Sequence, residues 1–344
     1  MPSPNATRPA LPRLASALGA AVLMAAISVA AHAQETLLFH HDLPENSAQH
    51  QASVKFKELV EARSNGRYRV EIHPNNALGD DVEVAQQMQF GAVHAAPIPT
   101  AKLSNFNPSL QLIDLPFLFP SREVMYPFLD GEVGMQVLSA LRGAGFEPVM
   151  FWESGFKQMT CNHAVQGPAD FAGRNVRVME SPLLMSQFRA VGGTPVPIAF
   201  SETYTALQQG VVECQENPLV SIRNMRFYEV QDYLMLSNHG YLGTAFIFSK
   251  VWFDGLPAAD QALMVEAVRE AGQFQRQLSI ETEAGHLEAI VAAGGTEVIR
   301  LTPEQIAEFQ AAMLPVHQEF AGRIGVELLE ATYAELARLA EAAQ

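Results

Sequence analysis

The sequence predicts an α/β protein of two lobes. Strands and helices alternate from Thr36 onward, and the alternation restarts near Phe156. About 310 residues follow an N-terminal leader, enough for two lobes with their own cores.

The leader comes first. Arg8 and Arg13 give it a positive start without an acid, and Leu14 to Ala31 is apolar apart from Ser16 and Ser28. Ala31-His32-Ala33 has the small-x-small form of a cleavage site, so residues 1–33 read as a signal peptide cut after Ala33. A membrane anchor is the alternative, but the apolar run is short for a bilayer and ends in the cleavage signature. The mature chain is expected to be exported and soluble.

Thr36 to His40 reads as a strand that ends in the polar loop His41 to Asn46. Ser47 to Ser64 follows as a helix with Val54, Phe56, Leu59 and Val60 as apolar positions, and Asn65-Gly66 stops it. Tyr68 to His73 alternates as a strand. Leu78-Gly79-Asp80-Asp81 leads into a helix ending near Gly91, and Val93 to Pro97 is a third strand. This order implies a parallel lobe whose ligands sit beyond the carboxyl ends of the strands.

In the second lobe Lys157 to Asn162, Asn175 to Val178, Thr194 to Pro197 and Val211 to Glu216 read as strands. Ser181 to Val191 is helical, and Ser201 caps a helix running to Gln209. Tyr233 to Ser237 and Thr244 to Ser249 are strands leading back toward the first lobe. Ala258 to Ala293 holds no proline and only Gly272 and Gly285, so one helix of roughly 50 Å is predicted. Two helices broken near Gly285 are the alternative. Thr302-Pro303-Glu304-Gln305 opens a further helix with a capping box.

The formal charge is −15 and becomes more negative once Arg8 and Arg13 are removed, a surface that repels nucleic acid and anionic lipid. A few aimed cations in a closed cleft can still outweigh a distant, screened surface field. No GxSxG, HExxH, P-loop or GxGxxG in the required setting is present, so no catalytic constellation is expected. Neither is a cofactor. The ten histidines show no ligand spacing, and two cysteines without CxxC make no zinc site.

Arg177 is the residue whose setting says most. It stands in Phe171-Ala172-Gly173-Arg174-Asn175-Val176-Arg177-Val178-Met179, a short apolar strand carrying a planar two-pronged cation. Read alone, it could pair with Glu180 or Glu202 as readily as with a ligand. Further on come Val191-Gly192-Gly193-Thr194-Pro195-Val196-Pro197 and Gln215-Glu216-Asn217-Pro218. Together these stretches resemble the solute-binding subunits of TRAP transporters, the tripartite ATP-independent periplasmic carriers of organic acids. The resemblance runs from about Leu37 to the C-terminus. It is nearest the C4-dicarboxylate-binding branch, through Leu112-Ile113-Asp114-Leu115-Pro116-Phe117, Gly155-Phe156-Lys157-Gln158-Met159 and Ser237-Asn238-His239-Gly240-Tyr241-Leu242-Gly243.

The resemblance implies a Venus-flytrap receptor with discontinuous lobes braced by the long helix. The expected division sets 34–155 and about 244–285 against 156–243 and about 286–344. It implies that Arg177 grips the ligand carboxylate, that Asn217 offers an amide to a carboxylate or hydroxyl, and that Lys157 takes a second carboxylate or a hydroxyl. Lys102 would add a cation from the first lobe, Phe200 would form a pocket wall, and His40, Asp80 and Tyr241 would line the cleft edges. The partners implied are a small organic acid and the small and large integral membrane subunits of the carrier. The protein itself is expected to be a periplasmic monomer and not an enzyme. A ligand-sensing partner of a membrane receptor kinase is the alternative of another class.

Some positions depart from the family. The loop Pro97-Ile98-Pro99-Thr100 lacks the glutamate of sialic-acid binders. Glu180 replaces the glutamine common in the C4 branch, which leaves a sugar acid or another hydroxy or oxo acid open beside succinate, fumarate or malate. Cys161 and Cys214 stand where the family usually has serine or alanine and glycine, so the resemblance predicts no disulfide. Two buried thiols are the favoured reading, although an oxidising compartment permits a bond.

Overall fold

The computed structural model describes residues 1–2 and 34–343; the expected signal peptide lies outside them. Among the described residues no helix is long and apolar enough to cross a membrane.

The chain opens with β1 (Glu35–His40), α1 (Ala48–Arg63), β2 (Tyr68–His73), α2 (Asp81–Gln89) and β3 (Ala95–Pro99). Ser47 caps α1 by accepting from the His50 amide; as the sequence predicts, the lobe is parallel, β1 pairing with β2 and β3. Then come α3 (Arg122–Asp130), α4 (Glu132–Ser139) and β4 (Phe146–Cys161). The second half contributes β5 (Asn175–Val178), α5 (Pro182–Ala190), β6 (Thr194–Pro197), β7 (Cys214–Pro218) and β8 (Tyr233–Ser249). The chain ends with α6 (Ala258–Ala293), β9 (Glu297–Arg300), α7 (Pro303–Met313), α8 (Pro315–Ile324) and α9 (Val326–Ala342).

All nine strands form one sheet in the order β2-β1-β3-β8-β4-β7-β5-β6, with β9 on β8. The sequence predicts short strands at 157–162, 233–237 and 244–249. Instead β4 begins at Phe146 and β8 runs unbroken through Asn238 and Gly240. The two strands pair antiparallel and cross from one half of the molecule to the other. Their pairing shifts register near Pro148, Gly155 and Lys157, and Gly155 (φ 125°) and Asn238 (φ 44°) carry positive φ. Such bulges let a long ladder bend while staying paired.

The long helix α6 is continuous through Gly285 for 36 residues, about 54 Å at 1.5 Å per residue. Its first part buries Met264, Ala267, Val268 and Ala271 in the core of the β1–β2 side, whereas Ile290 enters the core of the second half. Gly272 has no room for a side chain: a Cβ would stand 2.5 Å from Met150 Sδ and 2.6 Å from Trp152 Nε1. Arg122 ties α3 to β4 through Glu153 (2.7 Å) and to α6 through Glu283 (2.7 Å). At the C-terminus α8 packs on α5 and the Pro108–Asp114 segment, and α9 packs on α3 and α4.

Cys161 and Cys214 form a disulfide, which corrects the reading of two thiols. The cause is register. The two residues face each other directly across the β4–β7 ladder, with Cα atoms 4.1 Å apart. The bond closes a loop of 53 residues' separation, and chain entropy assigns such a loop about 4 kcal/mol. Replacing both cysteines by alanine is expected to lower stability by about that much in urea titration. An unchanged midpoint would show that the strand pairing alone holds this corner.

Candidate functional site

Strand alternation decides which side chains meet. In the β7 ladders Arg177 faces Gln215, and Gln158 faces Asn217. Paired residues share a face, so Arg177, Gln215, Asn217 and Gln158 lie on one side of the sheet. Val176 and Val178 turn to the other side and are fully buried in the core. Arg177 is itself fully buried. Its Nε donates to the Ile198 carbonyl (2.9 Å), and its plane lies 5.9 Å from the Phe200 ring centre. Among the described residues Nη2 has no hydrogen-bond partner, and no carboxylate comes within ion-pair distance of the guanidinium. The alternative pairing with Glu180 or Glu202 is therefore not formed. Burial pulls the Arg177 pKa down to about 10, against the opposing charges of Glu180, Glu216 and Asp80.

Asn217 is held by a polar chain. Its Nδ2 donates to Gln215 Oε1 (2.6 Å), Gln215 Nε2 donates to Thr160 Oγ1 (2.8 Å), and Thr160 donates to Gln231 Oε1 (2.8 Å). This fixes the amide orientation, and no hydrogen bond among the described residues reaches Asn217 Oδ1.

The first half brings Lys102, Asp81 and His40. Lys102 lies on the helical turn after β3 and donates to Asp81 Oδ2 (2.9 Å); His40 Nε2 meets Asp81 Oδ1 (3.2 Å). All three are buried. Burial pushes the Asp81 carboxyl up, but Lys102 and His40 outweigh it and leave it depressed. Beside them Asp42 accepts from Gln49 Nε2 (3.0 Å). Burial, then the Asp81 charge, hold the Asp42 carboxyl well above the usual carboxylate range.

The halves meet around a narrow enclosed space lined by Asp42, Lys102, Ser154, Phe200, Asn217 and Leu242, among others. Side-chain hydrogen bonds of Asp80 and Asn105 are among those that join the halves. Both Asp80 carboxylate oxygens accept from Ser201 Oγ (3.1 and 3.0 Å), and Asn105 Nδ2 donates to the Glu180 carbonyl (3.0 Å). Ser201 thus serves Asp80 instead of capping a helix as the sequence predicts; the short helix starts at Thr203. A larger groove, ≈ 530 Å³, lies between β4, β8 and α6. Its one arginine, Arg122, is already paired with Glu153 and Glu283, so it offers an anion no uncommitted cation.

Of the expected site residues Asn217, Lys102 and Phe200 line this space; Arg177, His40, Asp80, Lys157 and Tyr241 do not, and the last two are directed elsewhere. Lys157 precedes Gln158 and therefore projects from the opposite face of the sheet to Arg177 and Asn217. There its Nζ pairs with Glu216 Oε1 (2.8 Å), while Glu216 Oε2 meets His239 Nε2 (2.6 Å) and Gln187 Nε2 (3.1 Å). Tyr241 is turned away from Leu242, its cavity-lining neighbour, and packs between Phe119 and Phe156 with centroids 5.8 and 5.7 Å away. His40 stands one step back and supports Asp81. Sequence reasoning overlooked Asp42 and Glu216. The second was readable: in Gln215-Glu216-Asn217 alternation must send Glu216 to the face that Lys157 occupies.

Comparison with known proteins agrees with this architecture. Residues 39–323 match the family described as bacterial extracellular solute-binding protein, family 7. The C4-dicarboxylate-binding periplasmic protein DctP of Rhodobacter capsulatus is 36% identical over 330 residues, 94% of this chain and 98% of that protein. A TRAP periplasmic solute-binding protein from Sulfurospirillum deleyianum, with bound succinate, superposes with a TM-score of 0.84 at 35% identity, covering 88% of this chain and 99% of that one. The sugar acid binding protein DctPAm of Advenella mimigardefordensis, in complex with galactonate, gives 0.86 at 30% identity, covering 89% and 98%.

Proposed function

This chain belongs to family 7 of the bacterial extracellular solute-binding proteins, so it is a receptor and not an enzyme; on that premise we propose that it captures a small organic acid in the periplasm and delivers it to the integral membrane subunits of a TRAP carrier. One observation carries the reading: Arg177 is a fully buried guanidinium without a counter-ion among the described residues, beside an oriented amide. A buried charge needs an anion, and a ligand carboxylate would supply it.

The carboxylate would lie on Arg177 and Asn217, with the rest of the acid reaching toward Lys102 under Phe200. Asp80 closes the rim and His40 supports Asp81. A C4-dicarboxylate is the first reading, supported by the Gly155-Phe156-Lys157 and Asn238-to-Gly243 motifs, by the Rhodobacter relative and by the succinate-bound neighbour. With Lys157 on the other face, a second carboxylate would have to share the Lys102 ammonium with Asp81. A sugar acid is the second reading, supported by the galactonate-bound neighbour and by Glu180.

Capture would proceed by closure of the two lobes, 34–155 with about 244–285 against 156–243 with about 286–344. Bending where β4 and β8 cross near Gly155 and Asn238 would make and break the Asp80–Ser201 and Asn105–Glu180 contacts. Only the closed form would bring Arg177 and Lys102 to one ligand, so ligand favours it. Organic acids are to be screened by thermal shift. A binder at one hundred times its Kd adds about 2.7 kcal/mol to the folded state. The same sample is expected to give a smaller radius of gyration in X-ray scattering. Absence of any shift from C4 acids and sugar acids alike would remove the ligand assignment; an unchanged radius with binding confirmed would remove the hinge.

A further inference from the structure

Asp42 lies two residues beyond the end of β1 and lines the space that also holds Lys102 and Asn217. An ionised carboxylate only accepts hydrogen bonds. Oδ1 is taken by Gln49, and no hydrogen bond among the described residues reaches Oδ2. The adjacent cation does not serve it: Lys102 donates to Asp81, which also holds His40. The lining of the space thus carries one carboxylate, Asp42, beside an ammonium that is already paired with Asp81.

Resting on the reading of Arg177 as the carboxylate anchor, we infer that Asp42 is a specificity-determining residue that selects acids bearing a hydroxyl away from the anchored carboxylate. A hydroxyl donates to Asp42 Oδ2 and leaves its charge in place. A methylene offers nothing and, once the ligand covers it, leaves Asp42 Oδ2 without a donor. A second carboxylate meets like charge unless Asp42 takes up a proton. Burial, then the Asp81 charge, already hold Asp42 above the usual carboxylate range against the opposing charges of Lys102 and His40. Within the C4 series this selects malate over succinate. Across monocarboxylates it selects D-erythronate over butyrate, its unhydroxylated skeleton.

The test is calorimetric titration of the mature protein, and of Asp42→Asn and Asp42→Ala, with malate, succinate, D-erythronate and butyrate. The wild type is expected to favour the hydroxylated member of at least one pair by about 10- to 100-fold. Asp42→Ala is expected to bring that ratio to within about threefold, mainly by weakening the hydroxylated acid. Asp42→Asn keeps the shape without the charge, and melting curves verify that each variant is folded. A wild type that prefers the plain acid in both pairs overturns the inference. So does a folded Asp42→Ala protein with the wild-type ratio. A wild type that binds no acid of any kind overturns the anchor reading and this inference together, which separates the two failures.

Discussion

Arg177→Ala is expected to remove acid binding while the unliganded protein stays folded. Charge-assisted hydrogen bonds are worth roughly 1.5–3 kcal/mol each, and a guanidinium can make two to one carboxylate. Their loss leaves that carboxylate in a buried site where the Lys102 ammonium is already paired with Asp81. A fall in affinity of at least about 100-fold follows, since each 1.4 kcal/mol is tenfold. Stability should respond differently. The variant gives up the Nε bond to the Ile198 carbonyl, about 1 kcal/mol, but also relieves a fully buried cation that no protein carboxylate pairs. The apo melting temperature is therefore expected to stay close to the wild-type value or to rise. Arg177→Lys keeps a charge but loses the fork, so it should recover little affinity. With its pKa pulled down to about 10, Arg177 remains charged at neutral pH, and binding should weaken as pH climbs toward that value. Calorimetry at pH 7 with a binder found by the thermal screen is the measurement. Unchanged affinity in Arg177→Ala would take the residue out of the site.

Much of this site is readable before folding is considered, because composition and order mark it. An arginine between valines on a four-residue strand has few ways to meet its own needs, and Asn-Pro after a strand marks an oriented amide. What is harder to read is the face. Phe156-Lys157-Gln158 gives no clear polar alternation, so Lys157 looks as available as Arg177; only the β4–β7 register separates them. The crossing strands are obscured for a related reason. Gly155, Asn238 and Gly240 look like strand ends, yet here they lie inside continuous ladders, where the positive φ of Gly155 and Asn238 and nearby register shifts interrupt the regular pairing. Asp42 hides in a polar loop where a carboxylate is ordinarily solvated, and its burial comes from the packing of the second half over the end of β1. The disulfide likewise depends on a register that 53 residues of separation do not reveal.

Lys157→Met should separate a structural cation from a ligand cation by its effect on folding. Methionine keeps much of the stem and removes the ammonium, leaving Glu216 fully buried with His239 and Gln187 as its remaining partners. Breaking a buried pair from one side costs about 3–5 kcal/mol. The cost should fall on stability at pH 7, with acid affinity held within a few-fold of wild type. The pH dependence gives a second reading of the same network. Burial pushes the Glu216 carboxyl up, but Lys157 and His239 outweigh it and lower the pKa from 4.5 to about 2. A carboxyl depressed in the folded state stabilises the fold above its unfolded value and loses that contribution as pH falls through the folded one. The wild type should thus lose about 3 kcal/mol between about pH 5 and pH 2 through this group, and Lys157→Met much less. Replacing both partners, as Lys157→Met with Glu216→Leu, should recover a large part of the stability at pH 7, because two apolar side chains leave no orphaned charge. Urea titrations of the three proteins at pH 7 and pH 3 test this. Stability near wild type in Lys157→Met, together with lost acid binding, would return Lys157 to the ligand site.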